Sequence, residues 1–217
     1  MVTATEEQIL ILAQWFSPSY PVGAFAYSHG LEWAIGQGEV DGSETLREWI
    51  TEVVKHGAGR CDALFLAAAY RAANETALLE IDGMCRSFAP SAERLKETDL
   101  QGAAFCAVTS AVWPFDLSGL TYPVSVGCAA RLASLPPILT AKMFLQAFVG
   151  NLVGVGMRIV PIGQTEGQRL IRHLMPLCQE IAEATQAGDL DDLSSTAFLA
   201  DIASMKHETQ YSRVFRT

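Results

Sequence analysis

From Glu6 onward the apolar positions recur every three to four residues, and they do so nearly to the end of the chain. Glu6 to Phe16 predicts a first helix, stopped by Ser17-Pro18. Ser28 to Gly36 predicts a second, short helix with Leu31 and Ile35 on one face, Ser28 opening it and Gly36 and Gly38 ending it. Ser43 or Thr45 can cap a third helix whose stripe is Leu46, Trp49, Ile50, Val53 and Val54. The Ala- and Leu-rich stretch Asp62 to Asn74 is a strong helix former. Further helices are expected over 75–86, 91–112, 122–134 and 140–160. Thr165 to Gln168 has the form of a capping box before Leu170, Ile171, Leu174, Leu177 and Ile181, with Pro176 expected to kink or interrupt that helix. A last helix is expected from Asp189, with acids at its start, Lys206 and His207 toward its end, and a stripe of Leu190, Leu193, Ala197, Ile202 and Met205.

No strictly alternating run of useful length occurs, and no Asn-Gly or Asp-Gly hairpin separates two such runs. The pattern therefore predicts a single all-α domain over 1–217, a bundle of roughly eight to ten helices. Half of the 217 residues are apolar and 18% are charged, enough for a large core and too apolar for disorder. A net charge of −9 argues against nucleic acid as a partner. The five cysteines are odd in number and form no C-x-x-C pair, so neither a disulfide framework nor a zinc knuckle is predicted; reduced, packed thiols in the cytoplasm are expected. Met1 to Glu7 lacks the cationic start of a signal peptide. Met143 to Met157 is mostly apolar and contains Gly150-x-x-x-Gly154. Lys142 and Arg158 bound it short of a membrane span, so a buried helix with glycines admitting a close neighbour is expected.

Two segments stand out as candidate chemistry. In Tyr20-Pro-Val-Gly-Ala-Phe-Ala-Tyr-Ser-His-Gly30, Ala26 to Gly30 lies one residue from the G-x-S-x-G elbow of hydrolases. That elbow needs a strand entering the serine, and Pro18, Pro21 and Gly23 occupy the approach. A helical enzyme using Ser28, His29 or Glu32 is therefore the second alternative. The four histidines never fall at i, i+3 or i, i+4 to one another, so no helix carries a metal pair. Gly163 to Gly167 lacks the Lys-Ser/Thr of a phosphate loop.

The other segment is the C-terminus. Residues 206–217 sum to +2 on a body of −11, and they place Tyr211, Arg213, Phe215 and Arg216 together. If the last helix continued, Tyr211, Val214 and Phe215 would share a face, with both arginines beside it. Tyr and Arg are over-represented at binding hot spots. The residues admit two outcomes: docking of this tail on another protein, or tucking of Phe215 and Tyr211 into the parent core.

Three blocks carry a resemblance. They are Pro21-Val-Gly-Ala-Phe25 with Tyr27-Ser28 and Gly30-Leu-Glu32; Pro161-Ile-Gly-Gln-Thr165 with Gly167-Gln-Arg169; and Ala203-Ser-Met205 with His207-Glu-Thr-Gln-Tyr-Ser-Arg213. Together they resemble the UreF family of urease accessory proteins over essentially the whole length. Ala26, His29, Lys206 and the closing Val214-Phe-Arg-Thr217 depart from the family's usual Ser, Gln, Arg and Leu-Phe-Arg-Ser. The resemblance implies an all-α homodimer that is not an enzyme and carries no resident cofactor. It further implies binding to UreD (also called UreH), recruitment or regulation of the GTPase UreG, and action of the assembly on apo-urease during nickel insertion. It favours docking of the tail. Phe25, Tyr27 and Glu32 are then expected to form one contact surface, and Tyr211, Arg213, Phe215 and Arg216 another. Gln164 and Arg169 mark a third candidate, because an activator can lend a GTPase an arginine; Arg158 is the other arginine near that block.

Overall fold

The computed structural model describes residues 4–216 and contains, among them, ten α-helices, two 3-10 turns and no strand. The helices are α1 (Glu6–Trp15), α2 (Leu31–Gly36), α3 (Ser43–His56), α4 (Ala58–Arg71), α5 (Glu75–Ser87), α6 (Ala92–Val112), α7 (Tyr122–Leu132), α8 (Pro137–Ile159), α9 (Gln164–Ala184) and α10 (Phe198–His207). The all-α expectation holds.

Local chemistry accounts for half of the ten helix starts. Thr5 and Gln8 form a reciprocal capping box on α1. The Asn74 side chain accepts from Ala77 N at the start of α5, and Ser91 does the same for Arg94 N in α6. Pro123 and Pro137 sit in the first turns of α7 and α8, where a missing N–H costs nothing. Other starts differ from expectation. Gly42, not Ser43 or Thr45, precedes α3, although the Thr45 hydroxyl accepts from Asp41 N and Gly42 N. Gly163 precedes α9, with Thr165 one residue into it, and α9 runs through Pro176 without interruption.

α4 is the axis of the bundle. Cys61, Ala63, Leu64, Phe65, Leu66 and Ala67 to Ala69 are all buried, so it is apolar around most of its circumference, as a central helix must be. It packs against α3, α5, α7, α8 and α9. The α4–α7 approach is close enough that a Cβ on Gly127 would lie 2.2 Å from Leu66 O. α9 is amphipathic and buries Leu170, Leu174, Cys178 and Ile181 against α3 and α8. Each fully buried leucine of this core stabilises it by about 1.5–3 kcal/mol.

α8 is longer than the sequence pattern suggested, at 23 residues, and is long and apolar enough to cross a membrane by length and composition alone; here it is packed against α3, α4 and α9. The glycines expected to admit a neighbour do not do so. A Cβ on Gly150 or Gly154 would meet nothing within 4 Å, whereas one on Gly156 would strike the Leu46 side chain.

The last helix also departs from expectation. The Asp189 side chain accepts from Asp191 N, which turns Leu190–Asp192 into a single 3-10 turn instead of an α-helical start. Thr196 N then donates to His56 O, so the chain crosses beneath α3 in an irregular conformation, and α10 begins at Phe198. Its buried face is Ala203, Ser204 and His207, while Ile202 and Met205 remain exposed. α10 rests on α2, where Gly30 (φ 76°) admits it: a Cβ there would lie 2.6 Å from Ser204 N.

Gly127→Ala is expected to destabilise the protein by about 2 kcal/mol or more through backbone displacement. Gly150→Ala, on the same criterion, should be neutral or stabilising by up to about 1 kcal/mol through helix propensity. Denaturant unfolding of the two variants beside the parent chain checks the pair.

Candidate functional site

The segment 20–30 folds as a string of turns. Gly23 (φ 75°) leads into a 3-10 turn at Ala24–Ala26, and His29 (φ 54°) and Gly30 (φ 76°) are both left-handed just before α2. Phe25 is 62% exposed, but Tyr27 (4%), Ser28 (0%), His29 (7%) and Glu32 (6%) are interior groups. The expected contact surface of Phe25, Tyr27 and Glu32 is thus reduced to Phe25, since the other two side chains point into the fold. The hydrolase alternative loses its geometry for the same reason: Ser28 is sealed from solvent, and His29 and Glu32 belong to different buried networks.

The first network holds the chain end. Glu32 Oε1 accepts from Val214 N (2.6 Å), and Oε2 accepts from Phe215 N (2.9 Å). Glu32 Oε2 also lies 3.1 Å from His207 Nε2, and His207 Nδ1 lies 2.7 Å from Glu93 Oε2. The imidazole makes both bonds as donor only when each ring nitrogen carries a proton. Glu93 Oε1 accepts from Arg213 Nη1 (2.7 Å). Arg216 N donates to Ala26 O (2.7 Å), closing the end onto the 20–30 segment. Phe215 is buried at 4% exposure beneath the Arg158 guanidinium, 5.4 Å from its ring centroid, while Arg158 Nη1 donates to Phe25 O (3.0 Å).

The helix stops at His207, so the expected shared face of Tyr211, Val214 and Phe215 does not form. Phe215 tucks into its own core, a correction to its place among the exposed anchors. Tyr211 (104%) and Val214 (74%) point outward, and Arg213 and Arg216 remain exposed. The physical reason is the backbone. Three consecutive N–H groups, those of Val214, Phe215 and Arg216, find carboxylate or carbonyl acceptors in this irregular path.

The second network lies beside the first. His29 Nε2 is 2.9 Å from Glu97, whose carboxylate also binds Arg94 Nη1 (2.5 Å) and Gln101 Nε2 (2.8 Å). Arg94 reaches toward Asp62 at 3.6 Å, and the His29 ring stands edge-on to Phe148. Burial alone would raise the Glu97 carboxyl, but Arg94 and His29 outweigh it and hold it at about 2. Asp62 gains less from Arg94, so burial pushes it up to about 6. Burial, with Arg94 adding to it, lowers His29. Asp62, Arg94, Glu97 and Gln101 carried no motif. For Arg94, Glu97 and Gln101 the only signal was a polar run on the buried face of α6, and Asp62 on α4 gave none.

Gln164 is exposed at the start of α9, and Arg169, 72% exposed, pairs with Glu166 one turn earlier at 3.1 Å. Arg158, by contrast, is committed to Phe25 O and the Phe215 ring. Among the described residues, no three or more His, Cys, Asp or Glu side chains converge as a metal cage. Glu32, His207 and Glu93 run as a line through opposite nitrogens of the ring. The five cysteines are free and buried, and burial raises their thiols.

Fold and site together define a class: an all-α bundle whose signature segments are packed on two buried ionic networks, with aromatic and basic side chains displayed at its end. The sequence profile of the UreF family matches residues 40–175. Full-length relatives agree. The chain is 58% identical over 217 residues to "Urease accessory protein UreF" of Ruegeria pomeroyi, covering all of both chains. It is 53% identical to the protein of that name from Ruegeria sp. (98% of this chain, 100% of the relative), and 45% identical to that of Roseobacter denitrificans (100% and 97%). The chain belongs to the UreF family.

Glu32→Gln replaces one acceptor oxygen with a donor that opposes the tail N–H groups. Tryptic cleavage at Arg213 should quicken by about tenfold or more, from loss of a charge-assisted bond of roughly 1.5–3 kcal/mol. Mass spectrometry of timed digests measures it.

The Asp62 carboxyl is raised above its unfolded value of 3.8, so its ionisation opposes folding, and that cost grows as pH climbs through about 6. Asp62→Asn removes the cost. Relative to the parent, the variant should gain up to about 3 kcal/mol in unfolding free energy between pH 4 and pH 8. A difference that stays flat across that window contradicts the assignment.

Proposed function

We propose that this chain is a non-catalytic assembly factor for urease. In this reading it works as a homodimer in the cytoplasm, binds UreD (UreH) and brings the GTPase UreG to apo-urease for nickel insertion. Nickel is the cargo of that assembly and not a resident cofactor. The observation that carries the reading is the clamped end. Tyr211 and Val214 are held outward, and Arg213 and Arg216 are held partly exposed on Glu93 and Tyr27, by a backbone fixed on Glu32 and Ala26. A partner meeting this surface finds its anchors already ordered, which lowers the entropy cost of binding. Phe25 lies on the segment that Arg216 N touches through Ala26 O, so the exposed ring belongs to the same region.

The buried side chains act differently from the exposed ones. Tyr27, Glu32 and Phe215 position the surface from beneath, and Tyr211, Arg213, Arg216 and Phe25 would touch the partner. Gln164 and Arg169 are solvent-accessible on α9 and remain available to a second partner. Assignment to UreG follows from the use of arginine to stabilise transferring phosphate. The sealed Ser28 supports the non-catalytic reading over the helical-enzyme alternative.

Tyr211→Ala and Arg216→Ala should each weaken the complex with UreD by about 2 kcal/mol, roughly thirtyfold. Tyr211 is fully exposed, so Tyr211→Ala should leave the melting temperature unchanged, whereas Arg216 also bonds the buried Tyr27 side chain and its loss should lower it slightly. Titration of purified UreD by calorimetry decides: unchanged affinity in both variants removes the tail from the interface.

A further inference from the structure

A groove of about 440 Å³ lies at the end of α10 opposite His207. Its walls are Val40, Trp49, Phe198 and Leu199. Phe198 and Leu199 are 65% and 71% exposed, an unusual position for two large apolar side chains side by side. Ile202 and Met205, at 47% and 49%, continue the apolar track along the same helix beyond the groove.

Glu39, Glu48 and Glu52 stand on the rim, all exposed. Glu48 and Glu52 are one helical turn apart and repel each other. Among the described residues, none of the three glutamates makes an ion pair. The result is an apolar trough with an uncompensated negative edge.

We propose that this groove receives a segment of another protein in which apolar side chains are flanked by lysine or arginine. The apolar side chains would cover Phe198 and Leu199, and the cations would answer the three glutamates. The groove opens onto the exposed face of α10, so its occupant is elongated, unlike a compact small molecule enclosed in a pocket. A second copy of this chain suits it poorly. The chain carries a net charge of −9, and the two arginines of its exposed end already have partners within the chain, Arg213 on Glu93 and Arg216 on Tyr27. The proposal is independent of the tail reading, because none of these residues belongs to the clamp.

The probe is a fluorescent amphipathic helical peptide of leucine and lysine, with a leucine–glutamate peptide of equal length as its counterpart. Fluorescence anisotropy on the full chain should show the lysine peptide binding at least about tenfold more tightly than the glutamate peptide, and weakening in high salt. Leu199→Ser should weaken the lysine peptide by about tenfold, and so should the double reversal Glu48→Lys with Glu52→Lys. The reversal should also let the glutamate peptide bind. All three positions are exposed, so circular dichroism of the variants should match the parent. Affinities within twofold of the parent in either variant overturn the proposal. So does self-association of the parent in sedimentation that Leu199→Ser abolishes, since the occupant would then be a second copy.

Discussion

A buried carboxylate that has accepted backbone N–H groups cannot easily be released, and Glu32 is such a group. It binds Val214 N, Phe215 N and the His207 ring at once, at 6% exposure. An ionised side chain in that setting is tolerable only if its lone pairs are filled. The tail supplies two N–H donors, and the His207 ring on α10 faces the same carboxylate. α2, α10 and the chain end are therefore a single unit: disturbing any one leaves charge without partners in the interior. The Gly30 contact with Ser204 N belongs to the same unit, because only a residue without Cβ lets α10 come close enough for His207 to reach Glu32.

The start of α6 extends that unit to the second network. Glu93 faces His207 and Arg213, while its neighbours Arg94 and Glu97 face Asp62 and His29. His29 and Glu32 are likewise three residues apart, and each goes to a different network. Two adjacent positions on α6 and two near the start of α2 thus brace the 20–30 segment and the C-terminus against one helix. The 20–30 segment and the C-terminus, far apart in sequence, are neighbours over one polar interior.

Much of the bundle was legible because helical periodicity reports burial directly. α3 and α9 announce their buried faces through Leu46, Ile50, Val53, Leu170 and Leu174. What failed was local punctuation. Asp189 looked like a helix start but bonds to Asp191 N as a turn, and the helix waits until Phe198. Pro176 was expected to kink or interrupt its helix, and the interruption does not occur, since α9 continues through it. The site was legible in place but not in orientation. Tyr27, Glu32 and Phe215 were picked for residue type, and type does not say which side of a turn a side chain takes. Arg94, Glu97 and Asp62 were missed altogether, because a charged residue on a helix is normally solvated, and only tertiary packing turns a polar run inward.

Burying so much charge needs a reason, since well-packed apolar groups often hold a fold at least as well. The reason here is register. An apolar end would stick to the bundle wherever its side chains found cover, and could slide by a residue at small cost. Val214, Phe215 and Arg216 each place a backbone N–H on a defined oxygen, and Arg213 on Glu93 with Phe215 beneath Arg158 select which residues do so, so a slip would pull the ion pair and the buried ring out of place together. Fixing the register fixes which side chains face outward. Phe215 goes in, Val214 and Arg216 go out, and Tyr211 stands clear of the surface four residues before Phe215. The interior charges thus determine the pattern a partner would meet, and a purely hydrophobic anchor of equal strength would hold the same segment without specifying that pattern.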